Sequence, residues 1–270
     1  MNHDAGPSLG IVRGGDGIFR HLRPLGSSAA ETGDRLQWAE MTENAIAATH
    51  NTKGGARIVI HALKSLLAGD SSIEIHVAGH SAGAVFMGPV VQALAKFTKI
   101  STCHLWAPAC TTDFFRQHYL PLINGPKKSI QDFALYTLTD MVERDDHCAH
   151  LYHKSLLYLV SRACEDEYRP FVWGWAGAPL LGMERCIRED KDISALFAKA
   201  GTSWILSPNT SDDALHASRS TSHGGFDDDR ATVQGALTRI LGKKPGIAPP
   251  LRFGVSASRT KDCRMNIKTI

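Results

Sequence analysis

No apolar run in this 270-residue chain approaches the roughly 20 residues needed to cross a bilayer, so no membrane span is expected. The opening residues Met1-Asn2-His3-Asp4-Ala5-Gly6 lack the basic and apolar regions of a signal peptide. A formal net charge of +3 is too small to argue for a nucleic-acid partner or an anionic membrane surface. The six cysteines (Cys103, Cys110, Cys148, Cys164, Cys186 and Cys263) form no C-x-x-C pair and read as reduced, mostly buried thiols of a cytoplasmic protein. There is no P-loop and no G-x-G-x-x-G after a strand, so no nucleotide cofactor is expected. Histidine is plentiful, at 13 residues, and His147, His150 and His153 stand three apart with Cys148 among them. That group is open to a metal reading, but the stretch has a better explanation in an acid loop, and neither metal nor organic cofactor is expected.

What is present centres on residues 73–91, IEIHVAGHSAGAVFMGPVV. A β-rich segment (Ile73-Glu74-Ile75-His76-Val77) leads into Gly79-His80-Ser81-Ala82-Gly83. Apolar residues at helical spacing follow: Val85, Phe86, Val90, Val91 and Leu94. Strand, tight turn and helix is the context that gives a G-x-S-x-G pattern chemical meaning. The turn holds Ser81 at a strained φ/ψ, and glycine two residues either side removes the Cβ atoms that would clash. The serine side chain is then lifted to the N-terminus of a helix, whose free N–H groups favour developing negative charge.

The rest of the chain falls into order around it. Residues 1–27 read as an irregular N-terminal segment with one short strand candidate at residues 9–13; residues 28–242 read as one domain; residues 243–270 read as a basic tail. Two helices, at 28–50 and 56–67, precede the elbow. Beyond it come a strand at 100–107, a helix at 111–122, a strand at 133–138, a helix at 154–164 and an aromatic loop at 171–183 containing Trp173 and Trp175. A strand at 203–206, a polar loop at 207–228 and a last helix at 229–241 complete the pattern. Such alternation predicts an α/β fold, a mostly parallel sheet flanked by helices. Phe114, Phe115, Tyr119 and Leu120 are expected as core, with a pocket cap as the other reading.

A serine hydroxyl becomes a nucleophile only when a histidine takes its proton, and that histidine needs an acid. The base expected here is His223, after the last strand and before the last helix, with His216 its competitor in the same loop. For the acid, four carboxylates fall within seven residues after the 133–138 strand. Asp146, placed on the loop, is preferred; Asp140 at the strand end and Asp145 stay as alternatives, and a charged loop with no role is the plain reading of the others.

The Gly-His-Ser-Ala-Gly elbow, the Asp-rich loop running into Leu151-Tyr152-His153-Lys154-Ser155-Leu156-Leu157-Tyr158, and the Ser222-His223-Gly224-Gly225-Phe226 loop together resemble an α/β-hydrolase of the lipase/esterase kind, over residues 56–241. The resemblance implies a Ser81-His223-Asp146 triad, with the backbone N–H of Ala82 in the oxyanion hole. It also implies an acyl-enzyme route acting on a small-molecule carboxylic ester. Where it departs is upstream. The second oxyanion donor of the family comes from a loop after an earlier strand, and residues before Ile73 read as a tail and two helices. Gly14-Gly15 is the nearest counterpart; Gly54-Gly55 lies between helices. The expectation is therefore a sheet abbreviated to four or five strands, with an exposed edge open to a homodimer mate or partner chain. Three functions remain open: a serine hydrolase, a weak or inactive hydrolase-fold binding protein, and acyl transfer to an acceptor other than water.

Overall fold

A computed structural model describes residues 28–126, 128–146, 154–165 and 177–242. The strand candidate at 9–13, Gly14-Gly15, the His147/Cys148/His150/His153 group, Trp173, Trp175 and the basic tail all lie outside those residues.

Two helices open the described chain, α1 (Ser28–His50) and α2 (Gly55–Gly69). Gly54 makes their turn possible, because a Cβ there would lie 2.2 Å from the Ala48 carbonyl oxygen. Then come β1 (His76–His80), α3 (Gly83–Leu94), β2 (Ile100–Trp106), α4 (Thr112–His118), α5 (Leu120–Asn124) and β3 (Ile130–Leu138). The second half runs α6 (Asp140–Asp145), α7 (Leu156–Leu159) leading into a π turn at Val160–Cys164, α8 (Glu184–Glu189), α9 (Lys191–Leu196), β4 (Thr202–Ser207), a single 3-10 turn at His223–Gly225, and α10 (Arg230–Ile240).

The four strands form one all-parallel sheet in the order β1-β2-β3-β4. Chain order and spatial order coincide, so every connection crosses over one face of the sheet to the neighbouring position, as parallel strands require. Period-2 alternation divides the side chains between two cores. Phe133 and Leu135 join Val77, Cys103 and Leu105 against Val85, Val91, Leu94, Phe115 and Tyr119. Ala134, Tyr136 and Leu138 join Ile205 on the other face, against Trp38, Leu157, Tyr158 and Phe226. The aromatics of α4 are core: Phe115 and Tyr119 are fully buried, and the Tyr119 hydroxyl donates to the Ala84 carbonyl at 2.6 Å.

Several boundaries differ from the sequence reading. The elbow strand begins at His76, three residues later than Ile73. The helix expected at 111–122 breaks at Tyr119 (φ −111°), because Pro121 has no N–H to continue the ladder. The helix expected at 154–164 widens into the π turn, where Ser161 exchanges two 2.7 Å hydrogen bonds with Ala178. Residues 184–196, for which no element was expected, form α8 and α9. The acid-rich stretch after β3 is helical as far as Asp145 and only then becomes loop, with Thr139 Oγ1 accepting from the Val142 N–H at its start. Among the described residues no strand pairs with the outer side of β1, which is an edge, and Ala78 on it is exposed.

Candidate active site

Ser81 occupies the junction between β1 and α3 with φ +54°, a left-handed conformation that is uncommon for a residue with a side chain. The main chain around it is fully engaged. Its N–H donates to the Trp106 carbonyl at 2.9 Å, and its own carbonyl accepts from Ala84 at 3.1 Å and Ala109 at 3.0 Å. These bonds tie the elbow to the end of β2 and hold a geometry that costs roughly 1–3 kcal/mol in isolation. The two motif glycines have unequal work. A Cβ on Gly79 would lie 3.1 Å from the carbonyl carbon and oxygen of Gly83, whereas a Cβ on Gly83 would meet nothing within 4 Å. The close approach expected of both is made by Gly79 alone.

The loop after β4 delivers His223. Ser207, the last residue of β4, donates through Oγ to the Ser220 carbonyl at 2.8 Å, and Ser218 Oγ donates to Ser207 Oγ at 2.7 Å. Asp229 closes the far end, accepting from the Arg219 N–H at 2.8 Å and from the Thr232 N–H at 3.0 Å as the cap of α10. Between these anchors His223 is buried, and its Nε2 stands 2.9 Å from Ser81 Oγ. Burial, and secondarily the nearby His80, push its pKa down to about 3, so the ring is neutral near pH 7 and able to accept a proton. His216 is elsewhere: it is exposed, with Nδ1 2.6 Å from Asp213 Oδ2.

Asp146 reaches His223 by an unexpected atom. Its Oδ2 accepts from the main-chain N–H of His223 at 2.9 Å, while His223 Nδ1 is buried with no hydrogen-bond partner. The other two acid candidates are not brought to the histidine. Asp140 accepts from the Tyr158 hydroxyl at 2.7 Å and pairs with Arg144 at 2.7 Å. Asp145 is exposed on the last turn of α6. Ala82 follows Ser81 as the N-cap of α3, where the helix N-terminus opens toward the serine. Gly54-Gly55 builds the α1–α2 turn.

Two residues that the sequence reading did not single out belong to this neighbourhood. His80, the first variable residue of the elbow motif, donates from Nε2 to the His223 carbonyl at 2.8 Å. Glu143, one of the four carboxylates, is fully buried on α6; the Ser155 hydroxyl donates to its Oε2, and its Oε1 has no partner. Burial pushes its pKa up to about 8, and the charges of Asp146 and Asp140 add to that, so it is a neutral acid at pH 7. His80 was visible in the motif but its partner is 143 residues away; nothing local marks Glu143 as buried.

The buried thiols are chemically quiet. Burial raises Cys103 and Cys186 to about 12 and Cys110 higher still, and these three thiols are free. No group of three or more His, Cys, Asp or Glu side chains is gathered at metal-binding distance among the described residues.

Comparisons with protein-family models, curated proteins and solved structures return no match to this chain.

Proposed function

We propose that the chain is an α/β-hydrolase-like serine hydrolase that cleaves a carboxylic ester through an acyl-enzyme. The observation that carries the reading is the 2.9 Å separation of Ser81 Oγ and His223 Nε2, on an elbow whose serine has φ +54°. A nucleophile, its base and a strained strand-to-helix turn coincide at one point, on loops that follow β1 and β4 of a parallel sheet.

The steps follow from those atoms. Ser81 Oγ attacks the ester carbonyl carbon as its proton passes to His223 Nε2. The carbonyl oxygen takes up the negative charge facing the Ala82 N–H and the positive end of α3. Collapse breaks the bond to the leaving oxygen, which receives the proton from Nε2. Water then attacks the acyl-serine, gives its proton to the same nitrogen, and the acid departs with Ser81 restored. In this reading the Asp146 carboxylate moves from the His223 main chain to Nδ1 as the imidazolium forms, supplying the partner that Nδ1 lacks at rest. No metal or organic cofactor enters any step. Among the described residues no helix is long and apolar enough to cross a membrane.

A second reading, a hydrolase-fold binding protein of little activity, is favoured by one observation, the buried and unpartnered Nδ1 of His223. A fluorophosphonate probe decides between them. The hydrolase reading expects labelling confined to Ser81 and abolished in Ser81→Ala, together with turnover of short- or long-chain acyl esters that the same substitution removes. Folded wild-type protein that neither labels nor turns over any ester would establish the binding reading instead.

A further inference from the structure

The histidine inside the elbow motif holds the base in place. His80 closes β1 immediately before Ser81, in register with Trp106 on β2. Its Nε2 lies 2.8 Å from the His223 carbonyl oxygen, and because a carbonyl can only accept, His80 is the donor. The two imidazole rings face each other at 5.4 Å between centroids, tilted by 31°. The ring of Phe226, fully buried, stands edgewise to that of His80 at 6.4 Å between centroids. The His80 ring therefore neighbours both the base and an aromatic of the base's own loop.

The two peptide groups of His223 are thus gripped from opposite ends of the site. Asp146 takes its N–H at 2.9 Å and His80 takes its carbonyl at 2.8 Å. One anchor comes from the loop after α6 and the other from the strand that carries the nucleophile. With the backbone pinned, the ring is left only its two side-chain torsions, and the nucleophile and the base share one rigid reference, β1. A shift of about 1 Å between a base and its nucleophile costs on the order of 100-fold in rate. His223 lies 142 residues from Ser81 in sequence; the bonds at Ser207, Ser220 and Asp229 hold its loop to β4 and α10, whereas the His80 contact holds the main chain of the base to β1.

We propose that His80 is a positioning residue: its Nε2–H, bound to the His223 carbonyl, registers the base on the strand that presents Ser81. The proposal rests on the serine-hydrolase reading of the same site. His80 touches neither substrate nor the proton in flight; it acts through His223. Glutamine places a side-chain N–H near the same position, whereas phenylalanine fills the slot without a donor and alanine leaves it empty.

The test measures inactivation by a fluorophosphonate probe over a range of probe concentrations, separating the limiting rate kinact from the half-saturating concentration KI. Wild type, His80→Gln, His80→Phe, His80→Ala and Ser81→Ala are compared. Because kinact is a rate per competent molecule, a fraction of unfolded protein lowers the amplitude and leaves kinact alone. The expected result is a fall in kinact of about 10- to 100-fold in His80→Phe and His80→Ala, with KI unchanged and His80→Gln within about threefold of wild type. Wild-type kinact in His80→Phe or His80→Ala would overturn the positioning role while leaving the hydrolase reading intact. Equal loss in His80→Gln would also overturn it, since the donor would then not be what matters. Absence of Ser81 labelling in the wild type would remove the hydrolase reading and the positioning role with it.

Discussion

Asp146 and His223 meet through the backbone: Oδ2 of the aspartate accepts the main-chain N–H of the histidine at 2.9 Å, and the ring nitrogen that a triad acid would hold has no partner. An unpartnered buried polar atom costs about 1–3 kcal/mol, so the resting site carries a cost that contact between Asp146 and Nδ1 would remove. Asp146→Asn isolates this contact. An asparagine oxygen can still accept the His223 N–H, so the loop stays anchored, but its amide group cannot stabilise an imidazolium. If the chain is the proposed hydrolase, turnover of an acyl ester is expected to fall by roughly 10³- to 10⁴-fold, with the melting temperature little changed. Asp140→Asn and Asp145→Asn, whose side chains do not reach His223, should keep kcat within about threefold of wild type. A loss in Asp140→Asn equal to that in Asp146→Asn would move the acid to the strand end.

The acid side of the pH profile follows from the burial of His223. On the proposed hydrolase reading, the profile of kcat/KM reports the base in the free protein. There His223 is neutral down to about pH 3, held low by burial and by the neighbouring His80. The acid limb of kcat/KM is therefore expected well below 6.5, the ordinary histidine value, and it should not move in Asp146→Asn. Folding stability changes in the same region. His223 and His104, which burial lowers to about 4, bind protons in the unfolded chain from about pH 6.5 downward but stay neutral in the folded one until about 3 to 4. The unfolded state thus binds more protons across that window, and stability falls as the pH falls through it. Activity should accordingly be read on samples whose circular dichroism shows them still folded. A limb at 6.5 or above would mean that an anion already faces Nδ1 in the free enzyme.

The elbow glycines offer a contrast that motif reasoning alone would not make. Alanine at 79 would press its Cβ to 3.1 Å from the Gly83 backbone, where no side chain can swing away. A loss of about 1–3 kcal/mol is expected, together with displacement of Ser81 and reduced labelling. Alanine at 83 enters open space at the first position of α3. It should leave stability unchanged or raise it by up to about 1 kcal/mol, since alanine favours the helix. Thermal melts of Gly79→Ala and Gly83→Ala, read beside probe labelling, separate the two. Equal destabilisation would show that the strand-to-helix approach is tighter than these distances allow.

How far the sequence reaches can be followed residue by residue. Ser81 and His223 were legible because each stands on a loop whose neighbours are strongly patterned: a β-rich run before the elbow, helical spacing after it, and a polar loop between the last strand and last helix. The four described strands were legible for the same reason, since each carries a short β-rich stretch, such as Phe133-Ala134-Leu135-Tyr136 of β3, set between turn or helix signals. Long-range contacts were not legible. Asp146 was placed near the base by its loop, but whether its carboxylate would meet Nδ1 or the peptide N–H depends on a loop trajectory that no periodicity encodes. Glu143 lies in a run of charge that looks solvated, and only the packing of α6 against Ser155 shows that it is buried. Residues 184–196 carry too few apolar positions for periodicity to show two short helices, and Pro121 divided what apolar spacing alone made continuous.

Glu143 gives the last expectation, on the alkaline side. In the unfolded chain its carboxyl titrates at its ordinary value of about 4.5; in the folded one burial raises it to about 8. Between those values the folded state holds a proton that the unfolded state has released, so stability falls as the pH rises from about 4.5 to about 8. The full effect is on the order of a few kcal/mol, and the anion that finally forms faces the like charges of Asp146 and Asp140. Glu143→Gln keeps an oxygen able to accept from the Ser155 hydroxyl and has nothing to titrate. Urea unfolding at intervals from pH 5 to pH 9 should therefore show the wild type losing stability with rising pH and the Gln variant holding level, the two curves parting most above pH 8. If the curves run parallel across that range, Glu143 is ionised in the folded protein and the neutral Glu143–Ser155 pair does not exist.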